Sequence, residues 1–345
     1  MVLTVLKRDD DSMERILLFV LLIWAMATTC LAAVAVTDNE KWGNIFCGEE
    51  TRFTFSISAD KPFHGTAGWR FSIGGRTIAR GETAADILPG GFQTMPVGLP
   101  VPDGKEGMVL FGMVTVSVYD QNNRAVVAKH EKEIRIFPKN PFREKQHWLT
   151  NLNLALFDPE MKTAQVFTES KIQYKEIYNR EVISEIRNGI VLIGENVSLS
   201  AYPGLARMLI RLAASGIPVI CLAPREGAIP LDHAVADIHA PGPSAMLFSQ
   251  SKIIKQLDKT LDAGSWPPDG RVVQSYLRLK GDKHAITAIV NKHNKGWPWL
   301  EIQYNKGNGR LIVCGFGIIE KWDAGPTPRH LLLRLLEYVD GKNSS

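Results

Sequence analysis

Gly216-Ile217-Pro218-Val219-Ile220-Cys221-Leu222-Ala223-Pro224 reads as a buried strand that runs into a sharp turn. In many α/β enzymes this is where a catalytic nucleophile is mounted. Here the turn carries Ala223 and Pro224, and neither side chain can attack a substrate. The stretch therefore points to an enzyme-like fold without its usual nucleophile.

Outward from that strand the apolar pattern alternates between short buried runs and helical spacing. Gly189 to Gly194 is apolar on both faces, as parallel-sheet strands are. Pro203 to Ala214 follows as an amphipathic helix with Leu205, Met208, Leu209 and Leu212 on one face, ended by Ser215-Gly216. Upstream, Leu152 to Phe157 is a strand, and Asp158-Pro159-Glu160 opens a helix with Asp as cap and Pro at its first position. Arg180 to Arg187 is a second short helix. This strand–helix alternation predicts a doubly wound parallel sheet. Downstream, Arg271–Leu279, Ala285–Val290, Leu300–Tyr304 and Arg310–Cys314 read as an antiparallel extension. Thr327-Pro328 then caps a closing helix, Arg329–Val339. The α/β domain spans 149–341.

The first half has a different period. Arg52–Ser58, Trp69–Ile73 and Met113–Tyr119 alternate every second residue, and Gly74-Gly75 marks a hairpin turn. Short strands with turns at this spacing predict an Ig-like β-sandwich over 36–137, with Trp69 in its core. Pro138 and Pro141 stiffen the linker, 138–148.

At the N-terminus, Ile16 to Thr37 carries no charge, Arg15 precedes it, and Ala33-Val34-Ala35 closes it as a small-x-small site. Residues 1–35 thus read as a secretory signal peptide cut before Val36, which implies a secreted or periplasmic protein. The alternative is an uncleaved N-terminal membrane anchor, since the run is long enough to span a bilayer. Met13 makes a more ordinary start than Met1. No second apolar span follows, so no membrane span is expected after cleavage. Removal of 1–35 shifts the formal charge from +4 to about +5, thinly spread. Without a basic stripe or a stacking module, nucleic-acid binding is not expected. Cys221 and Cys314 sit in apolar strands as small core residues, a disulfide between them staying open, and no metal-ligand spacing or cofactor motif occurs.

The segment Gly189–Gly227 resembles the core of the class I glutamine amidotransferase-like fold, a flavodoxin-like α/β domain. Gly216–Ile220 resembles the strand before that family's nucleophile elbow. Gly309–Gly315 and Pro328–Tyr338 are similar to the last strand and helix of its non-catalytic versions, found in secreted bacterial proteins and beside glycoside hydrolases. Ile136–Phe142 looks like the end of the sandwich that accompanies such domains. The resemblance implies a nucleophilic Cys five residues after Pro218, where this chain has Ala223, and a His-x-Glu near the C-terminus. Glu320, Asp323 and His330 do not form that pair. Glutaminase chemistry is therefore not expected.

Ligands of open α/β sheets sit beyond the carboxyl ends of the strands. Asp158, Glu195, Asn196, Arg225, Glu226, Glu320 and Asp323 fall there. Glu195 and Glu226 form a conceivable acid–base pair; otherwise Asp158 caps a helix and the two glutamates are solvated or pair with Arg225. Trp266, Trp297, Trp299 and Trp322 lie beside prolines or in loops, where flat faces suit stacking on sugars or anchoring a protein; the alternative is that they cover the open sheet edge and fill the gap between the domains. The leading expectation is a non-enzymatic envelope protein that binds a protein or glycan through Asn196, Arg225 and these tryptophans. The alternatives are a carbohydrate-active hydrolase and a structural envelope component.

Overall fold

The period-two stretches of the first half fold as eight strands: β1 (Val34–Asp38), β2 (Asn44–Phe46), β3 (Glu50–Ala59), β4 (Phe63–Ile73), β5 (Arg76–Ile87), β6 (Phe92–Pro100), β7 (Leu110–Asp120) and β8 (Val126–Phe137). The computed structural model describes residues 34–105, 107–122, 124–225, 227–230, 242–248, 253, 277–280, 285–289 and 299–341. One sheet has the order β1-β3-β6 and the other β2-β8-β7-β4-β5. Alternate residues of both point into one shared core, where Phe53, Phe55, Ile57, Phe71, Val114, Val116 and Val118 are fully buried. Gly74 and Gly75 both have positive φ, 56° and 82°, the conformation that a two-residue hairpin demands. Trp69 shares its side of β4 with Ala67 and Phe71 and packs against that core. Opposite it, a Cβ on Gly81 would come within 2.7 Å of the Trp69 Nε1, so glycine makes room for the indole.

The second half is a mixed α/β unit. Its main sheet contains β9 (Leu154–Phe157), β10 (Lys175–Glu176), β11 (Ile190–Ile193), β12 (Val219–Leu222), β14 (Ala245–Leu247), β17 (Trp299–Gln303) and β18 (Arg310–Cys314). Their order is β10-β9-β11-β12-β18-β17-β14. The first five strands run parallel, and β17 and β14 continue the sheet antiparallel. A further three-stranded sheet joins β13 (Gly227–Pro230), β15 (Leu277–Lys280) and β16 (Ala285–Ile289). Helices α1 (Gln146–Asn151), α2 (Lys162–Glu169), α3 (Leu205–Ala214) and α4 (Pro326–Val339) accompany the sheet. The buried stripe of α3 is Leu205, Leu209 and Leu212, and that of α4 includes Leu332, Leu335, Leu336 and Val339. No helix among the described residues is long and apolar enough to cross a membrane.

Several local expectations are corrected. Helix α2 starts at Lys162 rather than at Pro159, because the Met161 N–H donates to the Asp158 carbonyl (3.0 Å) and Met161 turns left-handed. Asp158 still serves the helix, its Oδ2 accepting the Ala164 N–H at 2.8 Å. The segment 180–187 is a 3-10 turn, Arg180–Glu185, capped by the Asn179 side chain. Helix α4 begins three residues early, at Pro326, since two prolines fit a first helical turn that has no use for their N–H groups.

The two units meet along α4. The Asn44 Nδ2 donates to Oγ1 of Thr327 at 2.8 Å in a buried bond. Arg329 donates to the carbonyls of Lys139 (2.6 Å) and Trp322 (3.0 Å), pairs with Asp323, and lies over the Phe46 ring. Phe142, in the proline-rich segment, is fully buried and stacks on Trp322 at 6.0 Å. A cut before Val36 would fall inside β1, where Val34 and Ala35 pair with Ala59 and Ser58.

Candidate functional site

Four parallel strands deliver their last residues to one rim. After β9 comes Asp158, after β11 Gly194-Glu195-Asn196, after β12 Ala223-Pro224-Arg225, and after β18 the loop through Ile319 and Glu320. A cleft of 570 Å³ opens there, between Glu160, Lys162, Glu195, Asn196, Arg225, Glu320 and Asp323. Strand β9 has β10 on one side and β11 on the other, so the chain order reverses beside it. That reversal is the crevice where open α/β sheets take their ligands.

Glu195 is the floor of the cleft, with 2% of its surface exposed. Its two carboxylate oxygens accept the backbone N–H groups of Ile319 (2.7 Å) and Glu320 (2.8 Å). Its own N–H donates to Oγ1 of the buried Thr163 at 2.9 Å. Burial pushes the Glu195 carboxyl up to about 7, against the pull of the two backbone donors; the nearby Glu320 charge adds to the rise. Asp158 is also buried and raised by desolvation, with one oxygen on the α2 N-terminus and Oδ1 without a hydrogen-bond donor among the described residues. A Cβ on Gly194 would meet that Oδ1 at 2.5 Å, so only glycine fits between the two acids. Glu195 is therefore not the solvated loop residue of the alternative reading, whereas Asp158 serves the helix after β9, as that reading had it. Glu195 is tied into the strand-end frame, and Asp158 holds a helix.

The turn after β12 keeps a bent backbone. Ala223 has φ +31°, a conformation that L residues avoid, at a cost of order 1–3 kcal/mol. It is held from both sides: its N–H donates to the Cys314 carbonyl at 2.6 Å, and its carbonyl accepts the Asn196 N–H at 3.1 Å. Asn196 is itself left-handed at φ 66°, where asparagine is tolerated best after glycine. The methyl of Ala223 is buried and chemically inert.

The neighbouring thiols are no substitute. Leu222 pairs with Cys314 and Cys221 with Val313, so the two cysteines point to opposite faces of the sheet and remain free. Burial pushes both up to about 12, leaving almost no thiolate at neutral pH.

Of the binding candidates, Asn196 and Arg225 reach the cleft, Arg225 half-exposed and 3.9 Å from Glu160. Trp299 does not: it lies in β17 with no exposed surface, because the apolar pattern of that strand turns it into the core. Trp322 is 6% exposed, sandwiched between Phe142 and the Arg329 guanidinium, so it closes the junction between the units instead of offering a free face. Trp266, Trp297 and Glu226 lie outside the described residues. Glu160, Lys162 and the N–H groups of Ile319 and Glu320 belong to the site but carry no motif. Only the predicted helix after β9 placed the first two near it. Among the described residues, no group of three acidic, His or Cys side chains is arranged to hold a metal ion.

No family model matches the chain, and no curated protein does. Among solved structures it is similar to the alkylpurine DNA glycosylase AlkC of Pseudomonas fluorescens (14% identity, 31% of each chain, TM-score 0.23). It is also similar to the sporulation control protein Spo0M of Bacillus subtilis (15% identity, 35% of this chain and 54% of that one, TM-score 0.24). A third likeness is to the Escherichia coli alpha-2-macroglobulin fragment (18% identity, 31% and 17%, TM-score 0.24). The match spans about a third or less of the length of AlkC and of the Listeria innocua β-glucosidase. Likenesses this slight say nothing about function.

Proposed function

We propose that this chain is a secreted binding protein of the cell envelope, in which a flavodoxin-like, glutamine amidotransferase-like α/β domain without a nucleophile takes a polar saccharide at its strand ends. The parallel part of the sheet, read in chain order as 2-1-3-4-5, supports the flavodoxin-like assignment. Two sheets over one core support an Ig-like sandwich for the first half. Secretion rests on the signal-like N-terminus.

The observation that carries the reading is the engagement of Glu195. Both its oxygens are occupied by backbone donors, so it frames the cleft, while Ala223 fills the turn where an attacking group would stand. The remaining rim is mostly acidic: Glu160, Glu169, Glu320 and Asp323 outnumber Lys162 and Arg225, with Asp323 paired to Arg329. Carboxylates of this kind accept from sugar hydroxyls and attract ammonium groups. A cleft of 570 Å³ suits a short saccharide better than a protein surface, which needs about 800 Å² on each partner.

Calorimetric titration with a glucosamine tetramer tests this. Saturable binding, weakened at least tenfold by Glu160→Gln combined with Asn196→Ala, is expected. Binding that ignores these changes, or no binding, would contradict it.

A further inference from the structure

We infer a second ligand site, for an anionic saccharide, on the outer face of the five-stranded sheet. It is independent of the strand-end cleft, lying in the other half of the chain, and the two stand or fall separately.

Register places four side chains in a row across that face: Arg80 on β5, Arg70 on β4, Thr115 on β7 and Glu131 on β8. The next row is Glu82, Gly68, Ser117 and Lys129. Arg70 and Arg80 are direct cross-strand partners, and like charges opposite one another destabilise a sheet. Glu131, the nearest carboxylate in the row, is taken by Lys129 at 2.6 Å. No described residue forms a hydrogen bond or ion pair with either guanidinium. Two adjacent forks thus face solvent, their repulsion offset only in part by Glu131, which feels the Arg70 charge but is held by Lys129. Guanidinium pairs of this kind clamp carboxylate or phosphate oxygens in bidentate fashion.

The floor beside them is hollow. Gly68 has no side chain, and the Tyr119 ring and the Glu82 stem lean over it: a Cβ there would meet them at 3.3 and 3.5 Å. The resulting depression of 620 Å³ is far larger than a bare oxyanion needs. Beside the arginines it offers an aromatic ring, the Ser117 hydroxyl and the Glu82 carboxylate. An acid group on a sugar matches the whole set, with its oxyanion on Arg70 and Arg80 and its ring and hydroxyls over Tyr119, Ser117 and Glu82.

The test compares the full chain with an Arg70→Gln/Arg80→Gln double variant, using trigalacturonate, inorganic phosphate and neutral maltotriose as probes. Trigalacturonate should bind the unaltered protein and raise its thermal midpoint, with phosphate at least tenfold weaker and maltotriose silent. The double variant should lose at least tenfold in trigalacturonate affinity. Without ligand its midpoint should equal or exceed that of the parent, since repulsion is relieved. Equal responses of the two proteins, no response of the parent, or a lower unliganded midpoint for the variant would overturn the site. Phosphate binding as tightly as trigalacturonate would overturn the assignment to a saccharide.

Discussion

The carboxylate of Glu195 receives the N–H of Ile319 at 2.7 Å, joining the end of β11 to the loop after β18 over 124 residues of chain. The N–H of Glu320 takes the other oxygen, so one side chain closes the rim of the cleft. The geometry turns a candidate catalytic acid into a clasp, and the titration of that clasp is measurable.

Glu195 ionises near 4.5 when unfolded and near 7 when folded. Between these values the folded state holds the extra proton, so stability is fully present below about 4.5 and is lost as pH rises through about 7. The full shift is worth about 3 kcal/mol. Urea unfolding of the parent and of Glu195→Gln between pH 4.5 and 8 should differ by a decline that the variant lacks. Parallel profiles would show that Glu195 does not titrate with folding.

His330 works in the opposite sense. Burial beneath Phe137 and the Arg334 charge lower it to about 4, with Arg135 adding and Glu337 opposing. The unfolded state takes up the proton first, so stability is lost as pH falls from about 6.5 to about 4, again by about 3 kcal/mol. A His330→Phe variant should flatten that acid limb in urea unfolding carried down to about pH 4. An unchanged acid limb would place its origin elsewhere.

Asn44 and Arg329 hold the two units together through α4. Asn44→Ala leaves the Thr327 hydroxyl buried without its donor and should cost about 1–3 kcal/mol. Arg329→Ala removes the contacts to Lys139, Trp322 and Asp323 at once, and calorimetry should then resolve two melting transitions where the parent shows one. A single unshifted transition in Arg329→Ala would show that the junction does not depend on it.

Ala223 reverses a familiar rule. Replacing a buried alanine by glycine ordinarily destabilises by about 1 kcal/mol, but at φ +31° glycine relieves strain. Ala223→Gly should therefore leave the urea midpoint unchanged or raise it. A loss of about 1 kcal/mol or more would mean that the bent turn stores no strain.

Much of this layout could be read from local pattern. The alternation of Arg52–Ser58 became β3, and the apolar run before Ala223 became β12, because period and burial act over a few residues. The site was less legible. Asn196, Arg225 and the inert Ala223 were visible at strand ends, yet the burial of Glu195 depends on Thr163 and on a loop 124 residues away. Trp299 shows the same limit: its proline neighbour suggested a loop, and strand pairing with Cys314 turned it inward. Glu301 gave no sign of its role, fully buried against Arg310 and the Tyr338 hydroxyl.

The decisive measurement is mass spectrometry of a glucosamine tetramer held with the purified protein under conditions where calorimetry shows binding. We expect the tetramer to stay intact while the binding saturates. Shortened products that vanish when Glu195 and Glu226 are both changed to Gln would contradict a binding role and make this chain a hydrolase.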